Sequence, residues 1–133
     1  MRPEPDREAR AEQPRPVILD PLVQRLVDAS ATPPFLHELE PETARQALQE
    51  AQGDRIDDFD VDATFHAAPV GPTGLVGFWV FRPTGVTGRP PTMLYVHGGR
   101  WMLGDAQTHA WLVSELVRES GVAAVVPEYS RTP

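Results

Sequence analysis

The sequence predicts an α/β protein in which an antiparallel hairpin joins a parallel strand–helix–strand unit. Three features lead there. Residues 92–96 (TMLYV) and 122–126 (VAAVV) are short unbroken apolar runs, the pattern of strands covered on both faces. Between them lies a segment with helical spacing closed by Gly121, so the runs flank a crossover and pair in parallel through a right-handed connection. Upstream, residues 59–65 alternate apolar and polar and residues 75–82 (LVGFWVFR) are apolar on both faces, separated by a turn-rich loop.

The elements follow in order. Residues 2–16 hold eight charged residues and four prolines without an apolar stretch, which reads as a disordered leader rather than a signal peptide or a spanning helix. Leu19, Leu22, Val23, Leu26 and Val27 then recur at helical spacing, with Asp20 as N-cap and Pro21 at the first helical position. A linker with Pro33-Pro34 leads to a second helix opening at Pro41 and stopping at Gly53, whose apolar face of Ala44, Leu48 and Ala51 is thin. Both helices, within residues 17–55, are expected to cover another element.

Residues 56–133 supply the core. Phe59, Val61, Ala63 and Phe65 alternate with polar residues in a half-buried strand that ends near Pro69. The loop Val70-Gly71-Pro72-Thr73-Gly74 carries turn chemistry, and Pro83 ends the second strand. After the third strand, Asp105 is expected to cap a helix of about four turns with Trp111, Leu112, Leu116 and Val117 on one face.

A chain of 133 residues, 41% hydrophobic and 23% charged, suits one soluble domain. Its net charge of −7 argues against nucleic acid or an anionic membrane as partner, because both reward clustered Lys and Arg. Zero cysteines exclude disulfides and thiolate metal sites, so a cytoplasmic location is expected. No metal site or cofactor is expected either: His37 and His66 lack spaced partners, and His109 reads as a helix-surface or packing residue rather than a base. Asp57, Asp58, Asp60 and Asp62 lack the glycine and terminal glutamate of a calcium loop and read as a solvated strand edge.

Chemistry is expected at the carboxyl end of the third strand, where open parallel sheets bind ligands. His97-Gly98-Gly99 stands there. Consecutive glycines remove the Cβ atoms that would block a sharp turn and let backbone N–H groups face open space, as an oxyanion site requires. A plain tight turn after a strand is the alternative at this point.

The surroundings of those glycines narrow the choice. "YVHGGRWMLGDAQTH", followed by "VVPEYSRTP", resembles the hormone-sensitive-lipase-like branch of the α/β-hydrolase esterases, which has HGGG-W ahead of its first large helix and a strand ending in Y-R-L-A-P-E. "LDPLVQRLVDA", "PP" and "PETARQA" are similar to that family's N-terminal cap helices, and "GLVGFWVFRP" to its second strand. The resemblance implies the N-terminal half of an α/β-hydrolase fold with an incomplete sheet, and a serine carboxylic-ester hydrolase. It implies oxyanion donors around Gly99 and Arg100, with Gly98 shaping the turn. His97 is implied to hold the loop rather than act as base, Trp101 to pack it against the scaffold, and Asp105 and Tyr129 to support it. Arg100 stands where the family has its third glycine, and Ser130-Arg131-Thr132 where it has R-L-A.

The triad is not in this stretch. Hydrolases of this type need a serine on a G-x-S-x-G turn, followed by an acid and a histidine, and none of Ser30, Ser114, Ser120 and Ser130 has the flanking glycines. The resemblance puts the serine strand after residue 133, so the chain is expected to be inactive alone, and to take a small-molecule ester if completed. The third strand would then keep an open edge, leaving the isolated chain unstable, self-associating or chaperone-bound. The alternative is a non-catalytic half-domain that binds a partner chain, or a C-terminal half, through that edge.

Overall fold

The computed structural model describes residues 17–53, 56 and 59–132; the leader expected at residues 2–16 and the acidic pair Asp57-Asp58 lie outside these. The chain divides into two units, Met1–Pro33 and Pro34–Pro133.

In the first unit, α1 (Pro21–Ser30) starts as its sequence requires: the Asp20 carboxylate accepts from the Leu22 N–H at 2.8 Å and Pro21 occupies the first turn, where no N–H is needed. No residue of α1 is buried.

In the second unit, α2 (Pro41–Gln52) opens on its proline and closes at Gly53, whose N–H donates to the Gln49 carbonyl at 2.7 Å. Ala44 is its buried residue, and a longer side chain at that position would hold the helix away from its support. The remaining elements are β1 (Val61–Ala68), β2 (Val76–Pro83), β3 (Thr92–Leu94), α3 (Ala110–Ser120) and β4 (Ala123–Glu128). They form a mixed sheet in the order β1-β2-β4-β3. β1 pairs antiparallel with β2, with Val61 opposite Pro83; β2 pairs antiparallel with β4, with Phe81 opposite Ala124. β3 runs parallel to β4 with Leu94 beside Val125, and the Tyr95 N–H extends the ladder to the Val125 carbonyl at 2.9 Å. The expected hairpin and parallel unit are both present, and the β2–β4 pairing joins them.

The core lies between α3 and one face of the sheet. Phe81, Val113, Val117 and Val126 are its largest fully buried side chains, with Met93 and Tyr95 packed against it. Burial of each such group contributes about 1.5–3 kcal/mol.

Three expectations need correction. α3 begins at Ala110 and spans 11 residues, with no side-chain cap at His109, so Asp105 does not cap it. Asp105 instead closes the preceding turn, accepting from the Thr108 N–H at 2.8 Å while its own N–H donates to Thr108 Oγ1 at 2.9 Å. The buried face of α3 is Ala110, Val113, Ser114 and Val117, while Trp111, Leu112 and Leu116 are exposed. The side chains on that buried face are smaller than Trp111, Leu112 and Leu116. Finally, β3 is covered on one face alone: Met93 and Tyr95 turn to the core, whereas Leu94 is 69% and Val96 60% exposed. Period-2 alternation sends these two to the face opposite α3.

Candidate oxyanion site

β3 delivers the chain to His97, which is buried. Its Nδ1 lies 2.8 Å from the Gly98 carbonyl and 3.0 Å from the Tyr129 hydroxyl oxygen, and the two rings stack at 4.3 Å. The Tyr129 hydroxyl donates to the His97 carbonyl, so its oxygen is left to accept. Both of the Nδ1 neighbours are therefore acceptors, which places the imidazole proton on Nδ1. Nε2 is buried without a partner. Burial pushes the Tyr129 phenol above its ordinary value; Arg131 lowers it and Glu128 raises it, both as smaller effects.

Beyond His97 the backbone turns through conformations that L-residues avoid. Gly99 has φ +143°, and a Cβ there would sit 1.8 Å from the Leu103 carbonyl oxygen. Arg100 and Trp101 follow at φ 52° and 64°, each at a cost of about 1–2 kcal/mol for a residue with a Cβ. The turn closes on the Gly99 carbonyl, which accepts from the N–H groups of Met102 at 3.1 Å and Leu103 at 2.7 Å. Gly104 ends it at φ +83°, where a Cβ would meet the Gly98 carbonyl oxygen at 2.6 Å and His97 Nδ1 at 3.0 Å.

Distant residues clamp this strained segment. Arg45 on α2 donates from Nε to the Met102 carbonyl at 3.0 Å and from Nη2 to the Thr132 carbonyl at 2.6 Å. The Thr132 N–H donates to the Trp101 carbonyl at 2.9 Å, and Arg131 Nη1 to the Gly104 carbonyl at 2.9 Å. Arg131 also lies 3.8 Å from the Asp105 carboxylate. The chain after β4 and the second turn of α2 thus hold the loop from two sides.

What the clamps leave free is the front of the turn. Among the described residues, none of the N–H groups of Gly98, Gly99 and Arg100 donates to an internal acceptor. These residues, with Val96, His97, Trp101 and Tyr129, line a cavity of about 390 Å³. Successive backbone N–H groups around left-handed residues, fixed in place and lacking acceptors, can take up negative charge.

The structure brings His97, Gly98, Gly99, Arg100 and Tyr129 together, and it redistributes two roles. The turn is shaped by Gly99 and Gly104, since a Cβ on Gly98 would meet no atom within 4 Å. The Trp101 indole is 81% exposed and does not pack the loop against the scaffold; its carbonyl does the anchoring, through Thr132. A left-handed φ turns that side chain outward. Gly104, Arg45 and Arg131 were not singled out from the sequence. Gly104 had a local signal, a glycine just past an apolar pair, whereas Arg45 reaches a carbonyl 57 residues away and had none.

The other histidines have packing partners. His109 lies 5.3 Å from the His97 ring and 6.0 Å from Tyr95, His66 stacks on Phe78 and His37 on Phe35. Among the described residues no group of three His, Cys, Asp or Glu side chains is placed to hold a metal ion. Nor is any helix long and apolar enough to cross a membrane.

A parallel strand ending in a clamped glycine turn, beside a cavity and ahead of a crossover helix, is the arrangement that the α/β-hydrolase resemblance implies, and it is shared with other open α/β sheets. Comparison with known proteins agrees. A family model described as alpha/beta hydrolase fold matches residues 93–133. The chain is 34% identical over 127 residues to an α/β hydrolase of Acanthamoeba polyphaga mimivirus, covering 86% of this chain and 32% of that protein. It is 32% identical over 120 residues to an esterase of Gibberella moniliformis, covering 88% and 37%. The crystal structure of a thermostable esterase from Pseudomonas putida superposes with a TM-score of 0.70 at 30% identity, covering 84% of this chain and 34% of that one. The chain belongs to the α/β-hydrolase family, in its hormone-sensitive-lipase-like esterase branch. It spans about a third of the length of these relatives.

Proposed function

We propose that this chain supplies the oxyanion loop of a serine carboxylic-ester hydrolase and has no turnover by itself. The supporting observation is the set of N–H groups at Gly98, Gly99 and Arg100, held beside a cavity and free of internal acceptors among the described residues. When a nucleophile adds to an ester carbonyl, the carbonyl oxygen gains negative charge, and these donors stabilise it. One such donor is typically worth about 100- to 1000-fold in rate. His97 and Tyr129 act behind them by fixing the loop's start. The serine, acid and base come from residues outside this sequence, which contains no G-x-S-x-G. A reducing compartment such as the cytoplasm suits the chain.

A colorimetric ester assay on the purified chain tests the inactivity directly. No hydrolysis above the buffer rate is expected, and robust turnover abolished by a serine-trapping reagent would overturn it. Mixing with a separate polypeptide that carries a G-x-S-x-G strand should restore turnover if the loop serves that chemistry.

A second reading rests on β3, which pairs with β4 alone among the described residues and exposes Leu94 and Val96. Here the chain is a non-catalytic half-domain that binds a partner by strand addition. A monodisperse, cooperatively melting monomer favours it, whereas solubility in the company of a nucleophile-bearing chain favours the hydrolase.

A further inference from the structure

Arg100 is an unexpected occupant of its position. At φ 52° glycine carries no penalty, while any side chain costs about 1–2 kcal/mol. Gly99 is glycine because a Cβ would strike the Leu103 carbonyl, but Arg100 is under no such obligation, and its side chain is exposed at the cavity. Among the described residues Arg45, Arg118 and Arg131 each have a carboxylate within 4.0 Å, at Glu42, Glu115 and Asp105 respectively, whereas Arg25, Arg82, Arg89 and Arg100 have none. Among the described residues no carboxylate pairs with Arg100 and no carbonyl accepts from its guanidinium. It is also the one Lys, Arg, Asp or Glu among the residues that line the cavity. In a chain of net charge −7, an unpaired guanidinium beside free N–H groups makes a local positive site.

We propose that Arg100 makes this site selective for esters that carry a second, anionic group. That group, a carboxylate or another singly charged oxyanion, sits within one arginine side chain's reach of the attacked carbonyl. The inference rests on the oxyanion role proposed above. The N–H groups receive the charge that develops on the carbonyl oxygen, and the guanidinium pairs with the charge the substrate already has. A guanidinium fork suits a carboxylate through two parallel N–H donors, so the contact fixes orientation as well as attraction.

The test uses the full chain and two phosphonate monoesters that mimic the tetrahedral intermediate. One is ethyl butylphosphonate, which carries a single charge; the other is its analogue with a terminal carboxylate on the butyl chain. Binding is followed through the backbone amide resonances of Gly98, Gly99 and Arg100. Both ligands should shift these amides, with the carboxylate analogue binding about three- to fivefold more tightly at low ionic strength, as an exposed ion pair allows. The preference should fall toward unity in high salt. R100G should abolish the ratio, and R100K, which carries the same left-handed strain, should keep part of it.

Equal binding of the two ligands overturns the selectivity and leaves the oxyanion role standing. So does a preference that survives in R100G. If neither ligand moves the amides at millimolar concentration, the oxyanion role fails and the selectivity with it.

Discussion

Replacing Gly99 with alanine should cost far more than replacing its neighbour Gly98, although the two are equivalent in sequence. At Gly99 the new Cβ would lie 1.8 Å from the Leu103 carbonyl oxygen and 2.4 Å from its carbon. Both are backbone atoms. That carbonyl can retreat only by disturbing its neighbours: the Leu103 N–H bonded to Gly99, the Met102 carbonyl held by Arg45 and the Gly104 carbonyl held by Arg131. Losing two or three such bonds at about 1 kcal/mol each, with about 1–2 kcal/mol for the backbone conformation, gives roughly 3–5 kcal/mol. A typical domain has about 5–15 kcal/mol in all. At Gly98 no atom lies within 4 Å of the added methyl group, so G98A should stay within about 0.5 kcal/mol of wild type. Thermal unfolding of the three proteins side by side is the assay. G99A should lose roughly 12 °C or more, at about 4–8 °C per kcal/mol for a unit the size of Pro34–Pro133. If G99A melts with the wild type, or G98A falls as far, the turn is not held as described.

Three further outcomes are expected. Arg45→Ala should remove the donors to the Met102 and Thr132 carbonyls, costing about 1–3 kcal/mol. Amide hydrogen exchange should then speed up between residues 101 and 104; Arg45→Lys should not restore protection, because one ammonium cannot reproduce the fork, and unchanged protection would dismiss the clamp. Burial raises both tyrosines, Tyr95 and Tyr129, above the ordinary value of 10.0. Phenolate absorbance should therefore appear at higher pH in the folded chain than in urea. The folded state holds these protons more tightly, so their share of stability is complete below pH 10.0 and is lost as pH rises through the folded values. A chain that gains stability across that range would contradict the burial. Leu94→Lys adds a charge beside the open β3 edge and should weaken self-association in sedimentation velocity. If the association is unchanged, another surface causes it.

Much of the architecture was legible in the order of the residues. Asp20-Pro21 and Pro41 start helices because a cap and a fixed φ act within one turn, and the strands showed themselves by unbroken or alternating apolar runs. His97-Gly98-Gly99 was legible as a sharp turn at the carboxyl end of a parallel strand, and the motifs around it, rather than the glycine pair alone, narrowed it to a candidate site. Long-range geometry was less legible. The buried face of α3 went to Ala110, Val113, Ser114 and Val117 rather than to the larger Trp111, Leu112 and Leu116, since which face meets the sheet is decided by tertiary packing and not by helical spacing alone.

By itself, then, the sequence determined the fold class, most element boundaries to within a few residues, and the glycine turn that follows the third strand, because those depend on neighbours along the chain. Which glycine bends the loop, that Trp101 faces outward, and that Arg45 and Arg131 hold the turn were decided by tertiary structure. The reason is steric and electrostatic. A carbonyl oxygen 1.8 Å from an absent Cβ, or a guanidinium bonded to a carbonyl 57 residues away, exists only once distant segments have met in space.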